Sequence, residues 1–223
     1  MAATPSTPIC LHVGCGLVVG QSWLNVDASP SLRLVKLPLM GGWLQQRLNL
    51  PPWSPQVRYG NIVQGLAIAP RSCELIYASH VLEHLSRQDF ERAMQRIWGY
   101  LQPGGTFRAV VPDLEGLARD YCQALQDPAI ASQAADTFMQ LSCLGHPGSR
   151  ATLRQRLRDA LANHRHQWMW DRASLTEAFT AQGFTAVRVC PYRDWPDARF
   201  AEVEHEESLT GAIAVQGQKP RTG

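Results

Sequence analysis

Three groups of residues in this sequence combine types and spacings that could do chemistry. The first is Leu11-His-Val-Gly14-Cys15-Gly16, read with Trp23-Leu-Asn-Val-Asp27. A short apolar run breaks into two glycines one residue apart, and a second apolar run ends in one carboxylate. Glycine lets a backbone approach a ligand closely, and an acid at the end of the neighbouring strand can accept hydrogen bonds from ribose hydroxyls, so the pair outlines an adenosine site. The same Gly-x-Gly pattern also serves as a plain tight turn after a strand. The second group is His80-Val-Leu-Glu83-His84. Its H-x-x-E-H spacing is used by some zinc proteases, where a helix brings both histidines to one face. Here it begins at the end of a strand, which favours a strand-to-helix turn in which Glu83 and His84 orient loops by hydrogen bonds, and no metal is expected. The third group is His164 and His166, with His146 in the same region and Trp168 and Trp170 following. It suits a substrate pocket with one apolar wall and a proton acceptor, or equally a half-buried edge with surface histidines.

The elements that must position these groups alternate between strand and helix patterns. Residues 9–13 read as the first strand, 24–27 as the second, 57–61 as the third and 73–79 as the fourth. Only ten residues separate Gly16 from Asp27. A crossover between parallel strands uses about a dozen residues with its helix, so the first helix is expected to be shortened or lost. Residues 29–55 are broken by prolines and glycines and read as loop with one short helix near 43–48. Ser86 offers an N-cap with Asp89 three residues on, and Phe90, Met94, Ile97 and Leu101 recur at helical spacing. That helix ends before Pro103-Gly-Gly105, and residues 106–111 form the next strand.

Residues 114–125, 130–144 and 152–163 then carry helical spacing, too long a block for a crossover. It is expected to be a helical cap insertion over about 115–172. Asp171 or Ser174 caps a further helix ended by Gly183, and residues 184–190 and 209–216 read as two final strands.

At 223 residues, with 45% hydrophobic and 18% charged residues, the chain suits one α/β domain from residue 9 to the end, after a disordered 1–8. No run of about 18 apolar residues predicts a membrane span, and a signal peptide pattern is lacking, so a cytoplasmic location is expected. Cys10, Cys15, Cys73, Cys122, Cys143 and Cys190 form no C-x-x-C pair, which argues against disulfides and a cysteine zinc site. The formal net charge of +2 does not by itself point to nucleic acid. Charge is uneven, however. Arg150, Arg154, Arg156, Arg158, Arg165 and Arg172 cluster in the insertion, while Asp194, Asp197, Glu202, Glu204, Glu206 and Glu207 crowd a later loop. Both clusters suit solvated faces first, and an anionic substrate or acidic partner second.

These motifs together resemble the class I S-adenosylmethionine-dependent methyltransferases, and more narrowly the small bacterial group with the methyltransferase type 11 domain. The residues that carry the resemblance are Leu11 to Gly16, Asp27, Tyr77-Ala-Ser-His-Val-Leu-Glu-His84, Leu101-Gln-Pro-Gly-Gly-Thr-Phe107 and Val110-Val-Pro-Asp-Leu114. His166-Gln-Trp-Met-Trp-Asp-Arg-Ala-Ser-Leu175 and Gly183-Phe184 extend it.

The resemblance implies a Rossmann-like α/β fold. Its seven-stranded, mostly parallel sheet has helices on both faces, one antiparallel strand near the edge and the helical insertion after the fifth strand. It implies S-adenosyl-L-methionine held by Gly14, Cys15, Gly16, Asp27, Asn61, Ile62, Ser79 and His80, with Asn61 reaching the adenine amine through its carbonyl oxygen. His12, Leu17 and Asn61 depart from the family pattern. Methyl transfer to an oxygen or nitrogen needs alignment above all. A base helps if the acceptor is a hydroxyl. His84 and His166 are the candidates, then His80, with Asp113 as an orienter. A small-molecule, saccharide or lipid-type acceptor is expected. The alternatives are an RNA acceptor, suggested by the arginine cluster, and a non-catalytic protein of this fold that binds a partner.

Overall fold

The computed structural model describes residues 9–145 and 166–221. Within them one seven-stranded sheet runs in the order β3-β2-β1-β4-β5-β7-β6. The strands are β1 (Ile9–Val13), β2 (Trp23–Asp27), β3 (Arg58–Tyr59), β4 (Cys73–Ser79), β5 (Leu101–Pro112), β6 (Thr185–Cys190) and β7 (Ala212–Gln218). Neighbours pair in parallel except β7, which runs antiparallel to both β5 and β6. The strand order reverses between β1 and β4, and the carboxyl ends of strands beside such a point are where open α/β sheets bind ligands.

The two sheet faces are built differently. Leu11, Val13, Val26, Ile76, Ala78, Phe107, Ala109 and Val215 point to one side, where α3 (Arg87–Tyr100) and α6 (Arg172–Gln182) cover them. The Ser86 hydroxyl caps α3 by accepting the Asp89 N–H. A capping box joins Asp171 and Ser174 at the start of α6, and Gly183 ends it at φ 103°. Phe107 stacks on Phe179 and Phe90 packs on Trp170, ring centroids 5.0 and 4.3 Å apart. Each such buried aromatic stabilises the fold by about 2–3 kcal/mol.

The alternate residues of the same strands point to the second face, and no helix crosses from β1 to β2. The chain instead turns through residues 14–22, held by Asn25, whose amide oxygen accepts the Gly20 N–H at 3.1 Å while its Nδ2 donates to the Gly20 and Trp23 carbonyls. The space a first helix would fill is taken by the chain between β6 and β7, which carries the 3-10 turns Ala198–Glu202 and Glu206–Leu209. Phe200 and Val203 bury against Cys10, Trp23, Leu75 and Tyr77. The Trp23 indole donates to the Arg199 carbonyl at 3.0 Å, and Ser22 binds Glu202.

Beneath this cover lies a row of buried polar side chains, register partners from strand to strand: Asn25, His12, Tyr77, Arg108 and Gln216. Arg108 is fully buried. It binds Glu204 through Nε and Nη2 at 2.6 and 2.8 Å and donates to the carbonyls of Pro191 and Asp194. Much of the acidic loop is therefore spent internally, while Glu206 and Glu207 stay exposed. Asp194 pairs with Arg188, Asp197 with Arg199, and Arg199 also with Glu74. These contacts give part of the acidic cluster a structural role where a solvated face was expected first.

Two sequence expectations shift in detail. The strand expected at 106–111 begins at Leu101 and absorbs Pro103-Gly-Gly105, because the Gly104 N–H and Gly105 carbonyl pair with Lys219 beyond β7. The single helix expected near 43–48 is a pair, α1 (Pro30–Val35) and α2 (Gly41–Leu48). Beyond β5 stand α4 (Leu114–Ala124) and α5 (Ala134–Leu141), which pack through Tyr121 and Phe138. The rest of the expected cap, including His146, His164 and all the clustered arginines except Arg172, lies outside the described residues. No helix among the described residues is long and apolar enough to cross a membrane.

Candidate active site

At the carboxyl ends of β1 and β2 the glycine turn and Asp27 meet. Gly14 and Gly16 both adopt positive φ, 64° and 53°, which glycine does without a steric penalty. The Asp27 carboxylate is buried. One oxygen accepts the Gly16 N–H at 2.9 Å and the other the Ser29 N–H at 2.7 Å, leaving further lone pairs on each. The two glycines do different work. A Cβ on Gly14 would run into the Val81 side chain, whereas one on Gly16 would meet nothing within 4 Å. Gly16 thus faces open space, and Gly14 lets the 80–84 turn approach. Cys15 is buried between them, and burial pushes its thiol up to about 12, so it packs as an inert apolar group.

Asn61 and Ile62 follow β3. Ile62 is buried. The Asn61 side-chain oxygen accepts the backbone N–H groups of Val63 and Gln64 at 2.9 and 3.3 Å, so it shapes its own turn, and Nδ2 is the polar group left for a ligand. His12, which stands before the glycines, faces away from them. It packs against Trp23 and Tyr77, and burial lowers its pKa to about 4.

The end of β4 carries the histidines. The His80 N–H continues the ladder to the Val110 carbonyl, after which His80 takes φ 53°. That left-handed backbone costs a β-carbon-bearing residue about 1 kcal/mol or more. Both ring nitrogens hold it there: Nδ1 lies 3.1 Å from Glu83 Oε1 and Nε2 2.9 Å from the Ser208 carbonyl. The Glu83 hydrogen bond raises the His80 pKa. The H-x-x-E-H segment that follows is not an α-helix. Leu82–His84 forms a single 3-10 turn, which throws Glu83 inward until it is completely buried.

His166 arrives from the far side of the fold. The Gln167 and Trp168 N–H groups both donate to the Glu83 carbonyl, at 2.7 and 3.1 Å, and the Gln167 side chain donates to the His84 carbonyl at 2.7 Å. Trp170, buried, bridges to Asp113, and the Leu114 N–H donates to the Trp170 carbonyl. His166 Nδ1 is 2.8 Å from the Ser142 carbonyl, which fixes the proton on Nδ1 and leaves Nε2 with a lone pair, 4.0 Å from Glu83 Oε1. Burial lowers the His166 pKa. The His84 and His166 rings lie edge to face at 5.0 Å.

The predicted site residues therefore form two adjoining groups. Gly16, Asp27 and Ile62 line or support the glycine-turn cleft, and His84 and His166 meet across the next strand end. Asp113 stands apart. Its carboxylate caps α4 by accepting the Glu115 N–H at 3.0 Å, so it positions the 166–170 segment through its backbone rather than orienting a histidine. Glu83 is the group that sequence reasoning undervalued. The signal for it is a carboxylate inside the apolar run Val-Leu-Glu-His-Leu.

Comparison with known proteins places this architecture. The sequence profile of a family described as a methyltransferase domain matches residues 22–189. No curated protein matches the chain. Among solved structures, a SAM-dependent methyltransferase from Archaeoglobus fulgidus is similar over 96% of this chain and 87% of its own, with TM-score 0.50 and 12% identity. The YcgJ protein of Bacillus subtilis covers 96% of this chain and 92% of its own, with TM-score 0.45 and 15% identity. The profile spans three quarters of the sequence, and the seven-stranded sheet, mostly parallel with one antiparallel strand near its edge, is the one the resemblance implies; the chain belongs to the methyltransferase-domain family and is a class I S-adenosylmethionine-dependent methyltransferase.

Proposed function

We propose that this enzyme moves the methyl group of S-adenosylmethionine to an oxygen or nitrogen atom of a small-molecule, saccharide or lipid-type acceptor bound beside His84 and His166. The cofactor supplies an activated methyl on a sulfonium. The residues present fit it. Asp27 would receive the ribose hydroxyls on the lone pairs that Gly16 and Ser29 leave, Gly16 would admit the ligand along its open side, and Ile62 with the Asn61 Nδ2 would flank the adenine. Ser79 and His80, whose side chain is tied on both nitrogens, would offer backbone to the methionine end.

One juxtaposition carries this reading: Val81 fills the space beside Gly14, so the turn bearing Glu83 and His84 abuts the glycine turn. An acceptor seated at the histidines therefore faces a cofactor seated on the glycines. What remains for the protein is alignment of nucleophile, methyl carbon and sulfur, together with removal of one proton. His166 Nε2 is the suited acceptor of that proton, because its tautomer is fixed by Ser142 and burial keeps the ring neutral. His80 is excluded from this task, since Glu83 and the Ser208 carbonyl occupy its ring.

Calorimetry with S-adenosylmethionine and S-adenosylhomocysteine tests the first half, with micromolar binding expected; no binding at millimolar ligand overturns it. Screening acceptor classes with labelled cofactor tests the second half. Transfer confined to carbon acceptors would overturn the oxygen or nitrogen assignment.

A further inference from the structure

We infer that Glu83, His84 and His166 form a binding site for a divalent transition-metal ion that coordinates the methyl acceptor. Each of the three offers one ligand atom, and these atoms lie within 4.8 Å of one another. Four ligands around zinc at about 2.0–2.1 Å stand about 3.4 Å apart, so closure needs an adjustment of about 1 Å or slightly more.

Three independent features point to an ion there. First, Glu83 is completely buried, and its Oε2 has no hydrogen-bond partner among the described residues. A buried carboxylate with one oxygen unpartnered is costly, commonly by several kcal/mol, and a cation bound to the carboxylate reduces that cost. Second, the other carboxylate oxygen is already oriented by His80 Nδ1 at 3.1 Å, and His166 Nδ1 is held by the Ser142 carbonyl at 2.8 Å. Ligating histidines and carboxylates carry outer partners of this kind, which fix the tautomer and aim the lone pair. Third, the main chain of the two segments is fastened at this point by the Gln167, Trp168 and Gln167 side-chain bonds to Glu83 and His84, so the ligands come from rigidly joined turns.

Two imidazoles and one carboxylate suit zinc, iron(II), cobalt(II) or nickel(II), whereas magnesium and calcium favour all-oxygen shells. Three protein ligands leave a coordination position open. The inference rests on the assignment of this cluster as the acceptor site, and it gives the cluster a second way to remove the proton. An acceptor hydroxyl bound to the ion would release its proton to solvent, since a divalent ion lowers the pKa of a bound hydroxyl strongly. Its oxygen then forms the new bond to the methyl carbon as the carbon–sulfur bond breaks, leaving the neutral thioether.

The test uses the full chain, stripped of metal by chelation and dialysis, then titrated with cobalt(II) and followed by its visible absorption, with zinc stoichiometry from elemental analysis. One ion per chain and a low-coordinate cobalt spectrum are expected. Glu83→Gln and His166→Ala should each weaken cobalt binding by at least about tenfold, and His166→Cys should restore it with a sulfur-to-cobalt charge-transfer band. Asp27→Ala should bind cobalt as the parent does. S-adenosylhomocysteine binding by the Glu83 and His166 variants, and the far-ultraviolet circular dichroism and cooperative unfolding of Asp27→Ala, measured in the same preparations, show that each is folded. Absence of stoichiometric cobalt binding, or binding unchanged in folded His166→Ala, overturns the inference. Cobalt binding needs no acceptor: methyl transfer without it leaves the proposed function standing and removes the metal, and cobalt binding without transfer does the reverse.

Discussion

The Asp27 carboxylate accepts the Gly16 backbone N–H across 2.9 Å, so the acid at the end of β2 also sets the shape of the glycine turn that follows β1. With the ribose role proposed for Asp27, one side chain serves both cofactor recognition and local folding, and the two roles separate by substitution. In Asp27→Asn an acceptor oxygen remains for one of the two backbone donors, while the charge that favours ribose hydroxyls is lost. Calorimetry should show cofactor affinity reduced about ten- to a hundredfold, the loss of one or two charge-assisted bonds. Asp27→Ala should show the same loss and, because the Gly16 and Ser29 N–H groups are both stranded, a lower unfolding midpoint in denaturant as well.

Gly14 and Val81 make the second coupled pair. Gly14→Ala adds a Cβ where Val81 already stands and forces a positive φ on a residue that resists it. A stability loss of about 1–3 kcal/mol is expected from the overlap, and about 1 kcal/mol more from the backbone. Val81→Ala should relieve the overlap only. In a double-mutant cycle by urea unfolding, the pair should therefore be less harmful than the sum of the singles; strict additivity would show that Val81 does not limit the turn.

The buried Arg108–Glu204 pair fastens the chain between β6 and β7 over the sheet. Arg108→Met leaves Glu204 and its Trp195 indole donor buried without the guanidinium, and about 3–5 kcal/mol of stability should be lost in equilibrium unfolding. Arg108→Met combined with Glu204→Leu should recover most of that loss, because the cost lies in the uncompensated charge.

His12 makes the fold sensitive to acid. Its pKa is about 4 in the folded chain because burial between Trp23 and Tyr77 disfavours the imidazolium, against 6.5 ordinarily. The unfolded chain then binds the proton more readily between those values, so stability falls as pH drops from 6.5 toward 4, by about 3 kcal/mol at the low end. His12→Phe keeps a ring in the stack and removes the titration. Its unfolding free energy should fall less between pH 7 and pH 4.5 than that of the parent.

The elements legible in the sequence were those whose causes are local. β4 is rich in apolar and aromatic residues, α3 carries its own cap and period, and α6 has Asp171, Ser174 and Gly183 at its two ends. The second sheet face was not legible, because its contacts join Ser22 and Trp23 to residues 176 or more positions away, and no local pattern announces that a 3-10 segment will replace a helix. Pro103-Gly-Gly105 reads as a turn, and only its pairing with Lys219 makes it strand. At the candidate site, Asp27, His84 and His166 followed from motif position. Glu83 did not, because the H-x-x-E-H spacing matters only through the backbone it adopts. A helix would pair His80 with His84, whereas the observed turn buries Glu83 and gathers His84 and His166 around it.

His166 offers the most direct test of the proposed chemistry. Its Nδ1 is committed to the Ser142 carbonyl, so all of its reactivity lies at Nε2 beside Glu83. Because burial lowers its pKa below 6.5, the ring is neutral across the neutral range, and the activity limb it controls lies on the acid side of the ordinary histidine value. Transfer to a hydroxyl acceptor should therefore hold its rate as pH falls to about 6.5 and decline below that, since protonation of Nε2 removes the lone pair whether it takes a proton or holds an ion. His166→Gln preserves an N–H donor toward Ser142 but has no imidazole to protonate. In this variant kcat should drop about a hundredfold or more, the acid limb should vanish, and the affinity for S-adenosylmethionine should stay within about twofold of the parent, because the cofactor residues proposed above, Gly16, Asp27 and Ile62, belong to other segments of the chain. A drop in cofactor affinity equal to the drop in rate would instead make His166 a support of the fold at the strand end, with the proton taken elsewhere.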